Sequence, residues 1–363
     1  MDAYFRDIYG SRWPKLKEAL KEDVRHVALA NPFSKMSQEE IQRRLGEANS
    51  SSSSENVGTL RYHAISHCRL IDGLAKGATD GKYPVPLSDS ADLKAWYWMD
   101  LGSLFPALAL RIREDESVLD VCAAPGGKSL VLAQGLFKAE EVQAAAQQGG
   151  GHQAKRGFLV FNEVSASRRK RLACVVSEYF PSHVKSRIRL TDSDGTKLRG
   201  SYDKILVDAP CSSERHVLMQ KSGRENGFKS PKSSSTAVIE RWSPKQCKIF
   251  AKLQYSILKS ALTCLKPGGQ LVYSTCSIAT VENDFVIEKI LQKFGPGNGR
   301  CHVKAVKDCG FGNAKDRATL EQLGCERTKH GYFMLPDKSK FGPIYWCLLE
   351  RSQGSGGDSE HSE

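Results

Sequence analysis

The stretch Asp120-Val121-Cys122-Ala123-Ala124-Pro125-Gly126-Gly127-Lys128-Ser129 decides the fold of this chain. An apolar run ending at Val121 leads into it and a second apolar run, Leu130 to Leu136, follows, which predicts a strand, a glycine-rich turn and a helix. Adjacent glycines let the backbone pass close to a ligand, because they carry no Cβ. The helix N-terminus adds unpaired N–H groups and a partial positive charge. This geometry suits a nucleotide or a carboxylate.

Two common nucleotide motifs fail at this turn. Gly127-Lys128-Ser129 matches the end of the P-loop G-x-x-x-x-G-K-S/T, but the first glycine of that motif would fall on Cys122. The dinucleotide fingerprint G-x-G-x-x-G is absent as well. An S-adenosylmethionine (SAM) site remains, in which the turn holds the amino-acid end and an acidic residue after the next strand holds the ribose. The alternative is a plain strand-to-helix turn without a ligand.

Composition narrows the class of protein. The chain has 363 residues, of which 40% are hydrophobic, enough for one large domain with appendages or for two domains. No apolar run approaches the roughly 20 residues of a membrane span. Lysine and arginine exceed aspartate and glutamate by 12, which fits a polyanion such as nucleic acid, although a merely basic protein is the alternative.

The cysteines and the N-terminus indicate a reducing compartment. Eleven cysteines are spread along the chain without a C-x-x-C pair, so we expect neither a metal site nor a disulfide scaffold. Met1-Asp2-Ala3-Tyr4 begins neither a secretory signal nor a recognisable transit peptide.

The pattern along the chain predicts four segments. Residues 1–47 are expected to form a helical extension, and 48–90, which begin near the serine run Ser50–Ser54, a linker and basic segment. Residues 91–351 are expected to form the SAM-binding domain and 352–363 a disordered polar tail. Trp96-Tyr97-Trp98 could stack on bases or pack against the sheet edge, and packing is the preferred interpretation. The segments 138–156 and about 217–240 are expected to be surface inserts.

Five strands predict an α/β, doubly wound Rossmann-like sheet. The second strand, Phe158–Phe161, ends in Asn162-Glu163, and an acidic residue at that place binds ribose hydroxyls in such folds. Glu163 could instead be a helix N-terminal charge. The remaining expected elements are a third strand at Ile188–Leu190 followed by Asp192–Gly195, a fourth at Ile205–Val207, a helix from Ser243-Pro244 to about Leu265, a fifth strand at Leu271–Tyr273, a helix at Val281–Leu291, and a closing hairpin of Phe333–Leu335 and Pro343–Leu349.

Two cysteines follow the fourth and fifth strands. Because the carboxyl ends of parallel strands face one crevice, Cys211 and Cys276 are expected to approach each other beside the SAM site. Methylation of a pyrimidine at C5 needs such a thiol, since a thiolate that adds at C6 makes C5 nucleophilic. A base must then remove the C5 proton before the thiol leaves. Either cysteine alone would be interpreted as a buried strand-end thiol, but the pair favours catalysis.

Three motifs identify a family resemblance. Cys122 to Lys128, Asp208-Ala209-Pro210-Cys211 and Ser274-Thr275-Cys276-Ser277 resemble the signature motifs of the Sun/Fmu-type RNA (cytosine-5) methyltransferases, and Glu282-Asn283 fits the Glu-Asn pair that follows. The resemblance extends from about Trp96 to Leu349. Phe5–Tyr9 and Phe341–Pro343 resemble the mitochondrial branch of the family.

The resemblance implies roles for individual residues. Cys276 would be the nucleophile, Cys211 would assist release of the product, and Asp208 would meet the base edge as well as the cofactor. Glu163 stands where the family usually has aspartate, and glutamate can also accept from ribose hydroxyls. The implied SAM contacts are Pro125, Gly126, Gly127, Lys128, Glu163, Arg168, Asp194, Gly195 and Asp208.

The sequence therefore predicts a SAM-dependent enzyme that forms 5-methylcytosine in RNA, with basic side chains such as Lys170, Arg171 and Lys248 on phosphates. Ribosomal RNA is favoured over transfer RNA, and a protein partner for substrate delivery is a further expectation. The resemblance implies a mitochondrial location; otherwise the cytoplasm or nucleus is expected. The rivals are a non-catalytic RNA-binding or ribosome assembly factor and a methyltransferase of exocyclic amines, which usually carries an aromatic residue where this chain has Cys211.

Overall fold

The computed structural model describes residues 1–50, 61–65, 68–72, 83–137, 157–221, 242–296 and 302–353. The serine run after Ser50, the insert at 138–156, most of the insert at 217–240 and the tail from 354 lie outside these residues. Among the described residues, each helix is either too short or too polar to span a lipid bilayer.

The N-terminal part of the chain carries helices and a small antiparallel sheet. Its four strands stand in the order β2-β3-β1-β4, with Ala28 opposite Trp98 and Leu29 opposite Leu70. The elements are α1 (Asp2–Tyr9), α2 (Trp13–Lys21), β1 (Val27–Ala30), α3 (Gln38–Ser50), β2 (Arg61–Ile65), β3 (Cys68–Asp72) and β4 (Trp96–Met99), with a 3-10 turn at Gly10–Arg12.

This small sheet differs from the prediction of a helical segment 1–47 and a linker 48–90. β1 lies inside the first segment, β2 and β3 lie inside the second, and their partner β4 lies beyond residue 90. All four residues of β1 are buried, so pairing between distant segments decides their conformation rather than the helix-like spacing around them. Trp96 is buried and Trp98 stacks on Tyr83 at 4.7 Å between ring centroids, as the packing interpretation expects.

The large sheet confirms the doubly wound prediction. Its strand order among the described residues is β11-β12-β13-β9-β8-β5-β6-β7, and β10 pairs with β13. The central five strands are parallel, and β13 continues the sheet antiparallel to β9. The strands are β5 (Ser117–Asp120), β6 (Phe158–Asn162), β7 (Ile188–Thr191), β8 (Tyr202–Asp208), β9 (Leu265–Thr275), β10 (Val303–Ala305), β11 (Cys325–Arg327), β12 (Tyr332–Met334) and β13 (Ile344–Arg351).

Helices cover both faces of this sheet. Alternate residues of one strand enter opposite cores: Leu206 joins one apolar cluster, while Ile205 and Val207 join the other. The helices are α4 (Leu104–Leu108), α5 (Gly127–Leu136), α6 (Ala166–Tyr179), α7 (Ser182–Lys185), α8 (Glu214–Lys221), α9 (Pro244–Thr263), α10 (Asp284–Phe294), α11 (Ala314–Gln322) and α12 (Pro336–Ser339); 3-10 turns lie at Leu101–Ser103, Gly195–Lys197 and Thr280–Glu282.

The predicted starts and ends are close to those observed. Ser243 caps α9 by accepting the backbone N–H of Gln246 at 3.2 Å, and Pro244 occupies its first turn. The helix ends at Thr263, two residues before the predicted end, because β9 begins at Leu265. The predicted closing hairpin is the antiparallel pair of β12 and β13.

The N-terminal extension supports the end of β9. Phe5, Trp13 and Leu16 are buried in the same apolar cluster as Ile278. The Tyr9 hydroxyl donates to the backbone carbonyl of Ile278 at 2.7 Å. The first two helices are therefore part of the scaffold that holds the turn carrying Cys276.

Candidate active site

The loop between β5 and α5 lies at the point where the strand order reverses, between β5 and β8. In open α/β sheets ligands bind at that point, outside the carboxyl ends of the strands. Gly126 has φ +123°, which side chains rarely adopt, and a Cβ there would lie 2.9 Å from Val175 Cγ1. Gly127 begins α5, so the backbone N–H groups of its first turn face this crevice. The sequence prediction of strand, turn and helix is confirmed.

Lys128 and Asp208 join two neighbouring strand ends. Lys128 Nζ lies 2.8 Å from Asp208 Oδ2, and the Ser274 hydroxyl donates to Asp208 Oδ1 at 2.8 Å. Burial favours the neutral amine, but the Asp208 carboxylate outweighs it and raises the pKa of Lys128. Lys128 is therefore a fixed positive charge between the loop that joins β5 to α5 (residues 121–126, here called the cofactor loop) and the two turns that carry Cys211 and Cys276 (the cysteine turns).

Glu163 and Arg168 form the side of the crevice at the end of β6. Glu163 is buried; its Oε1 accepts the Ser165 N–H at 2.9 Å. Its Oε2 has no hydrogen bond and lies 3.4 Å from Arg168 Nη1. Arg168 Nη2 donates to the Ala124 carbonyl at 2.6 Å, which ties this side to the cofactor loop.

Glu163 and the residues of the cofactor loop are arranged so that they fit SAM. A buried carboxylate oxygen without a donor is costly, and ribose hydroxyls would supply the donors that Glu163 Oε2 lacks. Pro125, Gly126, Gly127 and Lys128 would hold the amino-acid end of the cofactor.

Asp194 and Gly195 follow β7 at the far side of the crevice. Asp194 Oδ1 accepts the N–H and the hydroxyl of Thr196, at 2.9 and 2.8 Å. These hydrogen bonds lower the pKa of the exposed Asp194 carboxyl, the backbone one most. Asp194 thus shapes the 3-10 turn and keeps its second oxygen available.

The two cysteine side chains meet, as the sequence predicted. Cys211 Sγ lies 2.9 Å from Cys276 Sγ, and Ser213 Oγ lies 3.4 Å from each sulfur. Both sulfurs extend from strand ends that pair in register, with Asp208 opposite Ser274. Ser213 was not identified from the sequence, and only its position two residues after Cys211 could have indicated it.

The pKa values of the two thiols are shifted in opposite directions. The hydrogen bond from Cys211 lowers the pKa of Cys276, against its burial, and Ser213 adds a second stabilising contact. The same hydrogen bond, with burial, raises the pKa of Cys211 well above its usual value. Of the two thiols, Cys276 therefore ionises more readily, and Cys211 is the one that keeps its proton.

Buried acidic residues to which the sequence reasoning gave no role lie beside the cysteines and the cofactor loop. Asp120, at the end of β5, accepts from the Ser129 hydroxyl at 2.8 Å, and burial raises its pKa to about 7. Glu214, which the sequence reasoning did not name, contacts the Cys276 turn through the Ile278 N–H at 3.0 Å. Its only sequence signal is an acidic residue three positions after Cys211.

A cavity of about 360 Å³ lies elsewhere, between α4 and the turn before α11. It is lined mainly by apolar side chains such as Phe105, Leu108 and Phe311, with the Arg111–Asp316 ion pair among its lining residues. None of the predicted site residues lines it.

Comparison with known families adds an independent finding. A sequence profile of the family described as 16S rRNA methyltransferase RsmB/F matches residues 107–334. This range contains the cofactor loop and both cysteine turns.

Similar proteins are RNA methyltransferases by name. The 5-cytosine rRNA methyltransferase NSUN4 of Xenopus tropicalis is 33% identical over 74% of this chain and 60% of its own length. The mitochondrial tRNA (cytosine(34)-C(5))-methyltransferase of Danio rerio is 32% identical over 71% of this chain and 61% of its own. The chain thus spans about three fifths of each of these two relatives.

A solved structure shares the fold. NSun6 from Pyrococcus horikoshii matches with a TM-score of 0.64 at 16% identity, over 97% of both chains.

Proposed function

The chain belongs to the RsmB/F family of methyltransferases, and on that premise we propose that it methylates C5 of a cytosine in RNA, with SAM as the methyl donor and Cys276 as the nucleophile. One observation carries the proposal: two thiols 2.9 Å apart at paired strand ends, one with a lowered and one with a raised pKa. The Lys128–Asp208 pair lies between these thiols and the cofactor loop.

The first covalent step uses Cys276. Its thiolate electron pair forms the S–C6 bond, and the pair of the C5–C6 double bond moves toward C5. When bound, SAM supplies an electrophilic methyl group that C5 takes up. The target base must be flipped out or already unpaired to reach Cys276 at the sheet edge.

Release of the product depends on Cys211. Once Cys276 is bonded to C6, its sulfur no longer carries the charge that keeps the proton on Cys211, so the pKa of Cys211 falls. Cys211 can then give up its own proton to water and, as a thiolate, accept the C5 proton. The electrons of the C5–H bond restore the double bond, and Cys276 leaves as a thiolate.

Ribosomal RNA is the substrate class we propose. The matching family profile and the Xenopus tropicalis relative are both named for rRNA, whereas the Danio rerio relative is named for tRNA. The net charge of +12 and exposed Lys170, Arg171 and Lys248 provide contacts for phosphates. We place the protein in mitochondria because the Danio rerio relative is named as mitochondrial and because Phe5–Tyr9 and Phe341–Pro343 resemble the mitochondrial branch of the family; delivery of RNA by a protein partner stays a prediction.

A trapping experiment tests the proposal. Cys211→Ala protein is mixed with cellular RNA and SAM and run on a denaturing gel, where a covalent protein–RNA band should accumulate. The band should vanish in the Cys211→Ala, Cys276→Ala double variant, and Cys174→Ala, which removes an exposed thiol on α6, serves as the matched control. Sequencing of the trapped RNA separates rRNA from tRNA. Wild-type protein that neither binds SAM nor forms the band would favour the non-catalytic rival.

A further inference from the structure

Two buried glutamates lie directly behind the cysteine pair. Glu214 stands three residues after Cys211, and Glu282 stands six residues after Cys276. Both side chains are fully buried. Neither has an ion-pair partner among the lysines, arginines and histidines of the described residues. Two carboxyl groups in such a place need a physical reason, because burial of unpaired charge is costly.

Each carboxyl group holds the turn to which it does not belong. Glu282 Oε2 accepts the Ser212 N–H of the Cys211 turn at 3.1 Å. Glu214 Oε2 accepts the Ile278 N–H of the Cys276 turn at 3.0 Å. Gln254 Nε2 donates both to Glu282 Oε2 at 2.8 Å and to the Pro210 carbonyl at 2.9 Å. The two turns are therefore cross-linked by hydrogen bonds.

The remaining two carboxyl oxygens meet two serine hydroxyls. Glu214 Oε1 and Glu282 Oε1 both contact Ser212 Oγ, which lies 3.1 Å from Ser277 Oγ. Ser277 Oγ in turn lies 3.3 Å from Glu214 Oε1 and 3.1 Å from Glu282 Oε1. Four oxygen atoms thus form one compact cluster.

The hydrogen bonds of this cluster need more protons than the two serine hydroxyls supply, so one carboxyl group must be protonated. An ionised carboxylate only accepts, and a serine hydroxyl has one proton to donate. Ser212 Oγ lies against two carboxyl oxygens, so it can donate to one of them only. The other contact lacks a hydrogen unless that carboxyl group carries a proton and donates to Ser212.

We propose that Glu214 and Glu282 are positioning residues that share one proton and clamp the Cys211 turn to the Cys276 turn. The inference rests on the proposed function for its catalytic meaning, because the clamp sets the distance between nucleophile and release thiol. Loss of the shared proton would leave two buried negative charges and remove the donor to Ser212, so the turns would move apart.

The surroundings favour the protonated pair. Burial, and then the charge of Glu214, raise the pKa of Glu282 to about 7. The titratable groups that face the pair carry no positive charge: Tyr4 and Tyr9 from α1, Cys247 from α9, Tyr273 from β9, and Cys211 and Cys276 from the turns.

A metal ion suits the cluster less well than a proton. Glu214, Cys247 and Glu282 offer three donor atoms within 4.8 Å of one another. Hydrogen bonds already use the carboxyl oxygens. Burial raises the pKa of the Cys247 thiol, whereas a metal ligand must be deprotonated.

Disulfide formation between Cys211 and Cys276 measures the clamp without RNA or SAM. Diamide removes one hydrogen from each thiol and is itself reduced, and the Cys211–Cys276 peptide is quantified by mass spectrometry. Glu282→Ala should slow this reaction about tenfold or more, because the rate depends steeply on the distance and alignment of the two sulfur atoms, which a displacement of the turns would change. Glu282→Gln should restore a rate near that of the wild type, since its amide can donate to Ser212 and its oxygen can accept from Gln254.

The pH dependence separates the shared proton from a merely structural contact. The ratio of the Glu282→Gln rate to the wild-type rate should rise from about pH 6 to about pH 8.5, since only the wild type loses the proton. Because the charge of Glu282 also raises the pKa of Cys211, the pH profile of cysteine alkylation is measured in both proteins, and each disulfide rate is divided by its thiolate fraction before the ratio is taken. Glu116→Gln is the matched control, because Glu116 is also buried but lies at the amino end of β5, near Lys204 and away from the cysteines.

The outcomes are distinguishable. A folded Glu282→Ala protein that forms the disulfide at the wild-type rate would overturn the clamp. If that variant does not fold, a flat Glu282→Gln to wild-type ratio across the pH range would overturn it instead. Wild-type protein that follows both expectations but methylates no RNA would keep the clamp and reject the proposed function.

Discussion

Gly126→Ala adds only one methyl group, but it should weaken SAM binding strongly because of the backbone conformation at this position. Gly126 has φ +123°, and an added Cβ would lie 2.9 Å from Val175 Cγ1 and 3.2 Å from Val175 Cβ. A side chain held in so sparsely populated a conformation costs about 1–3 kcal/mol. If the loop shifts to relieve that strain in the free protein, the same free energy is lost when the loop returns to the conformation that binds SAM. The SAM dissociation constant should therefore rise about 5- to 150-fold.

Calorimetric titration with SAM measures this effect, and urea unfolding checks that the variant is folded. Gly200→Ala is the matched control: Gly200 has φ +117°, and its added Cβ would meet the Tyr202 ring at 2.8 Å, before β8 begins and away from the cofactor loop. It should lose stability and keep its SAM affinity. A folded Gly126→Ala protein that binds SAM as tightly as the wild type would refute the placement of the cofactor on this loop.

Three further predictions concern the same crevice. The wild type should lose stability as the pH rises from about 4.5 to 7, because folding raises the pKa of Glu282 from 4.5 to about 7. At 1.36 kcal/mol for each pH unit, this loss amounts to about 3 kcal/mol of unfolding free energy. Glu282→Gln should not show the loss, and urea unfolding at low and high pH measures the difference. Ser213→Ala should raise the pH at which Cys276 is alkylated by iodoacetamide, because Ser213 helps to stabilise the thiolate; an unchanged pH profile would contradict this role. Glu163→Ala should weaken SAM binding about tenfold in calorimetry while RNA binding in a filter assay is retained; equal loss of both would indicate a structural role.

Much of the site was predictable because parallel strands bring residues that follow them to one edge. Gly126, Glu163, Cys211 and Cys276 lie far apart in the sequence, yet each follows a strand of the same sheet, and Asp208 is the last residue of one of these strands. Short apolar runs ending in polar motifs therefore located the crevice. The family motifs then assigned roles that spacing alone left open.

What sequence reasoning missed depends on long-range pairing and burial. Val27–Ala30 form a strand because they pair with Trp96–Met99 and with β3, partners that local periodicity does not reveal. Glu214 was not named from the sequence, and Glu282 was noted only as part of the Glu-Asn pair, because nothing local shows that the fold buries the two together behind the cysteines. The shared proton follows from the positions of Ser212 and its neighbours, which only the folded chain provides.

Methyl transfer itself tests the central claim most directly. Wild-type protein and Cys276→Ala protein are each incubated with unmodified ribosomal or transfer RNA and methyl-labelled SAM, and the RNA is digested to nucleosides. We predict labelled 5-methylcytidine from the wild type and none from the Cys276→Ala variant. Label in any other nucleoside, or undiminished 5-methylcytidine from Cys276→Ala, would contradict the account.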